Sequence, residues 1–164
     1  MENRFPIQPV HNHQCRQAID LILPIQQIEF NVAVTLADQP DLQDIDRYYH
    51  RQGGGFWGVQ HDGQLIGTIA LLAIGHQSGA IRKMFVHKDF KGKEYGLAQQ
   101  LFETLVQYCR QQGITDLYLG TVNVLKAAQR FYERNGFTKI DADALPSYFP
   151  RMAADDVFYH LHLL

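Results

Sequence analysis

The run Val86-His87-Lys88-Asp89-Phe90-Lys91-Gly92-Lys93-Glu94-Tyr95-Gly96-Leu97-Ala98 decides how this chain is read. An alternating stretch, Ala80 to His87, closes on its left, a short basic loop with two glycines follows, and a helix opens on its right. From Gly96 to Gln112 the apolar positions Leu97, Ala98, Leu101, Phe102, Leu105, Val106 and Cys109 make one broad helical face. Gly113 stands where a helix closes with a left-handed residue. Such a junction leaves backbone N–H groups unpaired at the positive end of a helix dipole, which makes an anion site. Gly92 and Gly96 allow a phosphate close to the backbone, and Lys91 and Lys93 add charge.

Two common phosphate loops do not fit. A Walker A loop needs Ser or Thr after Gly-Lys, and Glu94 follows Lys93 here. A dinucleotide fingerprint needs G-x-G-x-x-G, which neither Gly53-Gly54-Gly55 nor the Gly92/Gly96 spacing supplies.

Working outward, the segment before the loop reads as a three-strand antiparallel meander. Phe56–Gln60 and Leu65–Ile74 flank the Asp62-Gly63 hairpin turn, and Ala80–His87 returns after a turn at Gln77-Ser78-Gly79. Further upstream, Phe5–Val10 is a Pro-interrupted edge strand and His13–Glu29 a helical stretch that Pro24 should kink or end. Asn31–Gln39 reads as a loop, and a second helix starts at Pro40-Asp41 and runs to the triple glycine. Downstream come strand Leu117–Val122, helix Leu125–Asn135 ended by Gly136, strand Phe137–Ala142 and strand Val157–Leu164. The order predicts an α+β fold: a mixed, mostly antiparallel twisted sheet of about seven strands, four helices and a central βαβ unit. With 164 residues and no linker or repeat, residues 1–164 are expected to form one domain.

Composition removes whole classes of function. Hydrophobic residues are 46% and charged residues 20% of the chain, too apolar for a disordered protein. Fifteen Lys and Arg against seventeen Asp and Glu leave a net charge of −2, so no basic excess points to nucleic acid. No apolar run approaches a membrane span, and MENRFPIQPV lacks the apolar core of a signal peptide, so a cytoplasmic protein is expected. Cys15 and Cys109 sit in no metal or redox pattern. His11-x-His13 and His160-x-His162 carry no accompanying carboxylate or Cys pattern, so no metal is expected.

Lys93-Glu94-Tyr95-Gly96-Leu97-Ala98 resembles the pyrophosphate loop of the GNAT N-acetyltransferase superfamily, [Q/R]-x-x-G-x-[G/A], with Lys93 where Gln or Arg is usual. Phe131-Tyr132-Glu133-Arg134-Asn135-Gly136-Phe137 resembles its second hallmark, FYxxxGF, and the meander before the loop fits the same topology. The resemblance implies a GNAT-type fold and an acetyl-CoA-dependent transferase acting on a small-molecule or peptide primary amine, by direct attack in a ternary complex. It implies that the strand before the loop splays from its parallel neighbour to admit the pantetheine arm. The backbone of Phe85 and Val86 would then pair with that arm, and Lys91, Gly92, Lys93, Glu94, Tyr95, Gly96, Leu97 and Ala98 would hold the pyrophosphate. Asn123 would touch the arm, and Ala127, Ala128 and Phe131 would line its far wall.

By the same resemblance Tyr132 is the general acid that protonates the departing thiolate. Glu29, at the end of the first helical region, is the first candidate for the base, with His87 or a water chain as alternatives. Trp57, Tyr48, Tyr49, Tyr148 and Phe149 are candidate walls for the acceptor, and Phe149-Pro150-Arg151-Met152 with Asp155-Asp156 could shape its pocket. The rival reading is a non-catalytic acyl-CoA sensor or interaction module on the same fold. A homodimer stays open.

Overall fold

The structure is a computed structural model and describes residues 5–92 and 95–163. Lys93, Glu94 and Leu164, all named above, lie outside the described residues. Seven strands, β1 (Ile7–Pro9), β2 (Gly55–His61), β3 (Gln64–Gly75), β4 (Ser78–Val86), β5 (Asp116–Thr121), β6 (Thr138–Ile140) and β7 (Val157–His162), form one sheet in the order β1-β2-β3-β4-β5-β7-β6. The four α-helices are α1 (Cys15–Pro24), α2 (Ile45–Tyr48), α3 (Leu97–Gln112) and α4 (Lys126–Arg134). Every strand pair is antiparallel except β4 with β5, which α3 joins as the crossover.

Period-two alternation gives the sheet two apolar faces. Trp57, Val59, Ile69 and Leu71 meet Leu101, Leu105 and Cys109 of α3 on one side. Phe56, Leu65 and Ala70 meet Ala18 and Ile22 of α1 on the other. Asp62 and Gly63 both take positive φ (52° and 77°), as a two-residue hairpin on Asp-Gly requires.

Several boundaries differ from the sequence reading, each for a local reason. The edge strand is shorter than Phe5–Val10. Pro24 ends the α-helical part of the first stretch, as expected; lacking an N–H, it leaves one carbonyl of the α ladder without its donor, and the stretch continues as a π turn over Ile25–Glu29. The second helix is broken into three short pieces, a 3-10 turn at Pro40–Gln43, α2 and a 3-10 turn at His50–Gln52, and the first break falls where Asp44 leaves helical geometry to cap α2. Its Oδ1 accepts the Arg47 N–H at 3.3 Å and the Asn12 Nδ2–H at 2.9 Å. The turn before β4 sits at His76-Gln77, with Ser78 already paired to Gly75. His87 falls outside β4, where its Nδ1 accepts the Asp89 N–H.

The decisive departure lies inside β4. Thr68 to Ala70 on β3 spans Arg82 to Phe85 on β4, so β4 carries an extra residue, and Lys83 has φ 54°. Strict alternation through Lys83 therefore fails: the chain bulges there and twists more strongly. β4 pairs with β5 only from Ser78↔Asp116 to Ala80↔Tyr118. Beyond Ala80 the two parallel strands part, and the backbone of β4 keeps only its β3 ladder.

Candidate active site

The parting of β4 and β5 opens two cavities. The first, about 530 Å³, is bounded by the end of β4, the loop around Lys91 and Gly92, the start of α3 and one side of α4. The second, about 550 Å³, lies between the Val32–Val34 loop, the bulged part of β4, the end of β5 and the Met152–Asp155 segment. They share a wall of Phe30, Met84, Phe85, Leu125, Ala128 and Tyr132.

The first cavity gathers most of the residues that the loop motif singled out. Phe85 and Val86 border it from β4, and Lys91, Gly92, Gly96, Leu97 and Ala98 border it from the loop and α3. Ala127, Ala128, Phe131 and Tyr132 complete it from α4. Gly92 (φ 123°) and Gly96 (φ 61°) both adopt left-handed backbone, which a side chain would strain. Among the described residues no side chain caps α3 and no acidic residue sits in its first turn, so its leading N–H groups lack a protein acceptor at the end of the cavity that Gly96, Leu97 and Ala98 line. That end of the cavity fits an anion. Its remaining wall is mainly apolar and suits an uncharged chain.

Three expected residues stand elsewhere. Tyr95 packs edge-on to Phe5 and Phe90, outside both linings. Asn123 is exposed and organises the β5–α4 turn: its N–H donates to Asp156 Oδ1 at 2.9 Å, and its Oδ1 accepts from Lys126 Nζ at 2.7 Å. Glu29 also lies outside both linings, and its Oε2 accepts a 2.7 Å charged hydrogen bond from Lys91 Nζ. The Lys91 ammonium lies 5.1 Å from the centroid of the Phe30 ring, so the pair ties the first helical region to the loop before α3.

Tyr132 sits where the cavities meet. Gly136 (φ 91°) turns the chain back, Phe137 N–H closes on the Tyr132 carbonyl at 3.0 Å, and the Phe137 ring packs edge-on to Tyr132. The FYxxxGF run is thus a helix-ending device that also fixes an aromatic ring in the cavity wall. The ring is buried at 6% exposure, yet its hydroxyl has no hydrogen-bond partner among the described residues. Burial, helped by the charges of Asp155 and Tyr159, pushes its pKa well above the ordinary phenol value. It stays a neutral proton donor throughout the physiological range.

The second cavity was poorly legible in sequence. Of the aromatic residues expected to wall the acceptor, none lines the second cavity. Trp57 and Tyr49 are buried in the two cores, Tyr48 packs against one of them, Tyr148 stacks on His76 at 4.1 Å and Phe149 packs on Phe158. From the Phe149–Met152 run only Met152 reaches it, and of the Asp155-Asp156 pair only Asp155. Asp155 lies against β5 at Gly120, where a Cβ would come within 2.5 Å of Oδ2. Burial raises its carboxyl above the usual range, with Asp156 adding to the rise while Arg82, Lys83 and Arg151 oppose it. Lys83, at the bulge and only 9% exposed, bonds Gln39 Oε1 and lies 3.5 Å from Asp41 Oδ2, which also accepts the Tyr49 hydroxyl at 2.6 Å. Of the two runs named for the acceptor pocket in the sequence, Met152 and Asp155 are the residues that reach this cavity.

The histidine pairs acquire partners that sequence separation hid. His160 Nε2 and His162 Nδ1 share Asp116 Oδ1 at 2.8 and 3.1 Å. His11, Asp46 and His50 bring ligand-type atoms within 4.8 Å of one another, but His11 pairs with Asp46, His50 Nε2 bonds the Val10 carbonyl, and the two imidazoles are stacked. Neither group lines either of the two cavities. Cys109 is fully buried, and burial pushes its thiol up to about 12, which keeps it inert.

Comparison with known proteins agrees with this architecture. An acetyltransferase of the GNAT family from Staphylococcus aureus Mu50 superposes with a TM-score of 0.93 at 34% identity, covering 98% of this chain and 99% of that one. An acetyltransferase from Streptococcus agalactiae 2603 gives 0.93 at 28% identity over 99% and 100%. The PaiA N-acetyltransferase of Thermoplasma acidophilum, solved with coenzyme A, shares the fold at 15% identity and a TM-score of 0.75 over 99% of each chain. In sequence, the N-acetyltransferase family 8 member 2 of Rattus norvegicus is 32% identical over 62% of this chain, which spans 46% of that protein's length. The uncharacterized N-acetyltransferase YjgM of Escherichia coli K12 is 29% identical over 86% of this chain and 89% of its own. Residues 19–137 match the family described as Acetyltransferase (GNAT) family. On these grounds the chain belongs to the GNAT acetyltransferase family.

Proposed function

We propose that this protein transfers an acetyl group from acetyl-CoA to a primary amine by direct attack in a ternary complex. The observation that carries the reading is the meeting of two cavities at one buried phenol with no hydrogen-bond partner among the described residues. The first cavity has an anion-binding end and an apolar body, which suits a pyrophosphate followed by a pantetheine chain. The second offers the acceptor a separate approach to the same point, so neither substrate must leave for the other to enter. No side chain at the junction is an activated nucleophile, in keeping with transfer without an acyl-enzyme.

Each residue of this chain has a defined part. Gly92, Gly96 and the first turn of α3 hold the phosphates, with Lys91 adding charge. The unpaired edge of β4 at Phe85 and Val86 receives the pantetheine amides, and Ala127, Ala128 and Phe131 hold its other side. Tyr132 gives its proton to the leaving sulfur. Glu29 steadies Lys91. The coenzyme A complex of a protein with this fold supports the choice of acyl carrier.

The test is calorimetric binding of acetyl-CoA followed by thiol release over a panel of primary amines. Tight binding with amine-dependent release supports the reading. Binding without release for any amine turns it to an acyl-CoA sensor, and no binding removes it.

A further inference from the structure

The reaction needs a group to receive the acceptor amine, which enters neutral solution as an ammonium ion. Glu29 is engaged by Lys91 and lies outside the acceptor cavity. His87 is committed to the Asp89 turn. Asp38 borders the cavity, but its Oδ2 already accepts from the Thr35 N–H and hydroxyl at 2.9 and 3.0 Å. Asp155 differs from all three. Its carboxylate is half-buried in the acceptor cavity, and among the described residues its oxygens have neither a hydrogen bond nor an ion pair. It lies over Gly120, on the strand that parts from β4, and its charge is felt at Tyr132 across the junction.

Resting on the acyl-transfer reading above, we propose that Asp155 is the catalytic carboxylate that binds the acceptor's primary ammonium and takes its proton. A half-buried carboxylate without a partner is costly, and a cation that donates hydrogen bonds is the ligand that relieves the cost. Gly120 is part of the device, since any side chain there would push the carboxylate off the strand. Burial also narrows the proton-affinity gap between carboxyl and amine, which eases the transfer. The groups facing Asp155 are Arg82 and Lys83 from β4, Arg151 and Asp156 from its own segment, and Tyr132 from α4.

The protons balance. The ammonium gives its first proton to Asp155, which passes it to solvent. The freed nitrogen lone pair forms the N–C bond to the acetyl carbonyl carbon, the C–S bond breaks, and the sulfur takes the Tyr132 proton. The nitrogen then releases its second proton, which restores the phenol through Asp155 or water. One proton is released per amide formed.

Two measurements test this. The first needs no turnover: the Asp155 carboxyl is followed by carbon NMR in protein labelled with 13C-aspartate, assigned with Asp155→Asn, and titrated in methylammonium chloride, tetramethylammonium chloride or sodium chloride of equal strength. The proposal expects methylammonium alone to move the titration to lower pH, because only it pairs with the carboxylate through N–H donors. An unmoved titration, or an equal movement with tetramethylammonium, overturns it, whatever the enzyme does with acetyl-CoA. The second uses any amine that the wild type acetylates. Asp155→Asn is expected to lower kcat by about 10²-fold or more, to remove the acidic limb of the pH profile and to leave acetyl-CoA affinity intact. A variant with wild-type kcat and acidic limb overturns the proposal. Absence of turnover in the wild type counts against acyl transfer, while the NMR result still decides whether Asp155 receives an ammonium.

Discussion

Lys91 Nζ and Glu29 Oε2 lie 2.7 Å apart, joining the loop before α3 to the end of the first helical region across 62 positions of sequence. The lysine is 45% exposed and the glutamate 28%, so the pair is partly screened and holds the loop weakly. It also occupies a cation that a pyrophosphate would attract.

Replacing Glu29 by Gln therefore has a direction that separates two roles. As a partner of Lys91, its loss frees the ammonium and tightens acetyl-CoA by up to about 5-fold, the scale of an exposed ion pair, with kcat retained. A loss of kcat of about 10²-fold with unchanged acetyl-CoA affinity would instead make Glu29 a base. Calorimetry and initial rates on one preparation distinguish them.

Gly96 carries φ 61° at the head of α3. Acetyl-CoA at 100 times its dissociation constant should stabilise the wild type by about 2.7 kcal/mol. Gly96→Val strains the left-handed backbone and puts a branched side chain beside the uncapped N–H groups, so most of this stabilisation should vanish. Thermal melts with and without acetyl-CoA give the comparison. If the variant's shift equals the wild type's, the anion site lies elsewhere.

Tyr132→Phe keeps the ring that Phe131 and Phe137 pack against and removes a hydroxyl that has no hydrogen-bond partner among the described residues. Its melting temperature should match or slightly exceed the wild type's, because no hydrogen bond is lost. Turnover should fall by about 10²-fold, the low end for general acid catalysis, with KM for acetyl-CoA little changed. The basic limb of the pH profile should also move, since the neutral phenol is the active form. An unchanged rate and profile would reduce Tyr132 to a packing residue.

Asp155 also makes a prediction about stability. Burial raises its carboxyl above the unfolded value of about 3.9. The folded chain thus holds this proton more tightly than the unfolded chain, so stability declines as pH rises from that value through the folded one. Asp155→Asn removes the penalty: the variant should melt above the wild type at pH 7, and the gap should close below about pH 4. A lower melting temperature at pH 7 would mean that the carboxylate has a stabilising partner.

Much of this protein is local and therefore legible in its sequence. The apolar stripe of α3 with Gly113 behind it, the Asp62-Gly63 hairpin, and the Gly136 reversal that seats Tyr132 each depend on a few adjacent residues. The glycine-bearing junction before Leu97 announces an anion site because a helix start always leaves N–H groups unpaired. The second cavity is different. The bulge at Lys83, the parting of β4 from β5 after Ala80, the diversion of Glu29 to Lys91 and the arrival of Asp155 over Gly120 join segments from opposite ends of the chain. A strand's register and a carboxylate's partners are set by packing between distant elements. Propensity and spacing therefore placed Tyr132 at the end of its helix, while only the folded sheet decided which carboxylate lies across the junction from it.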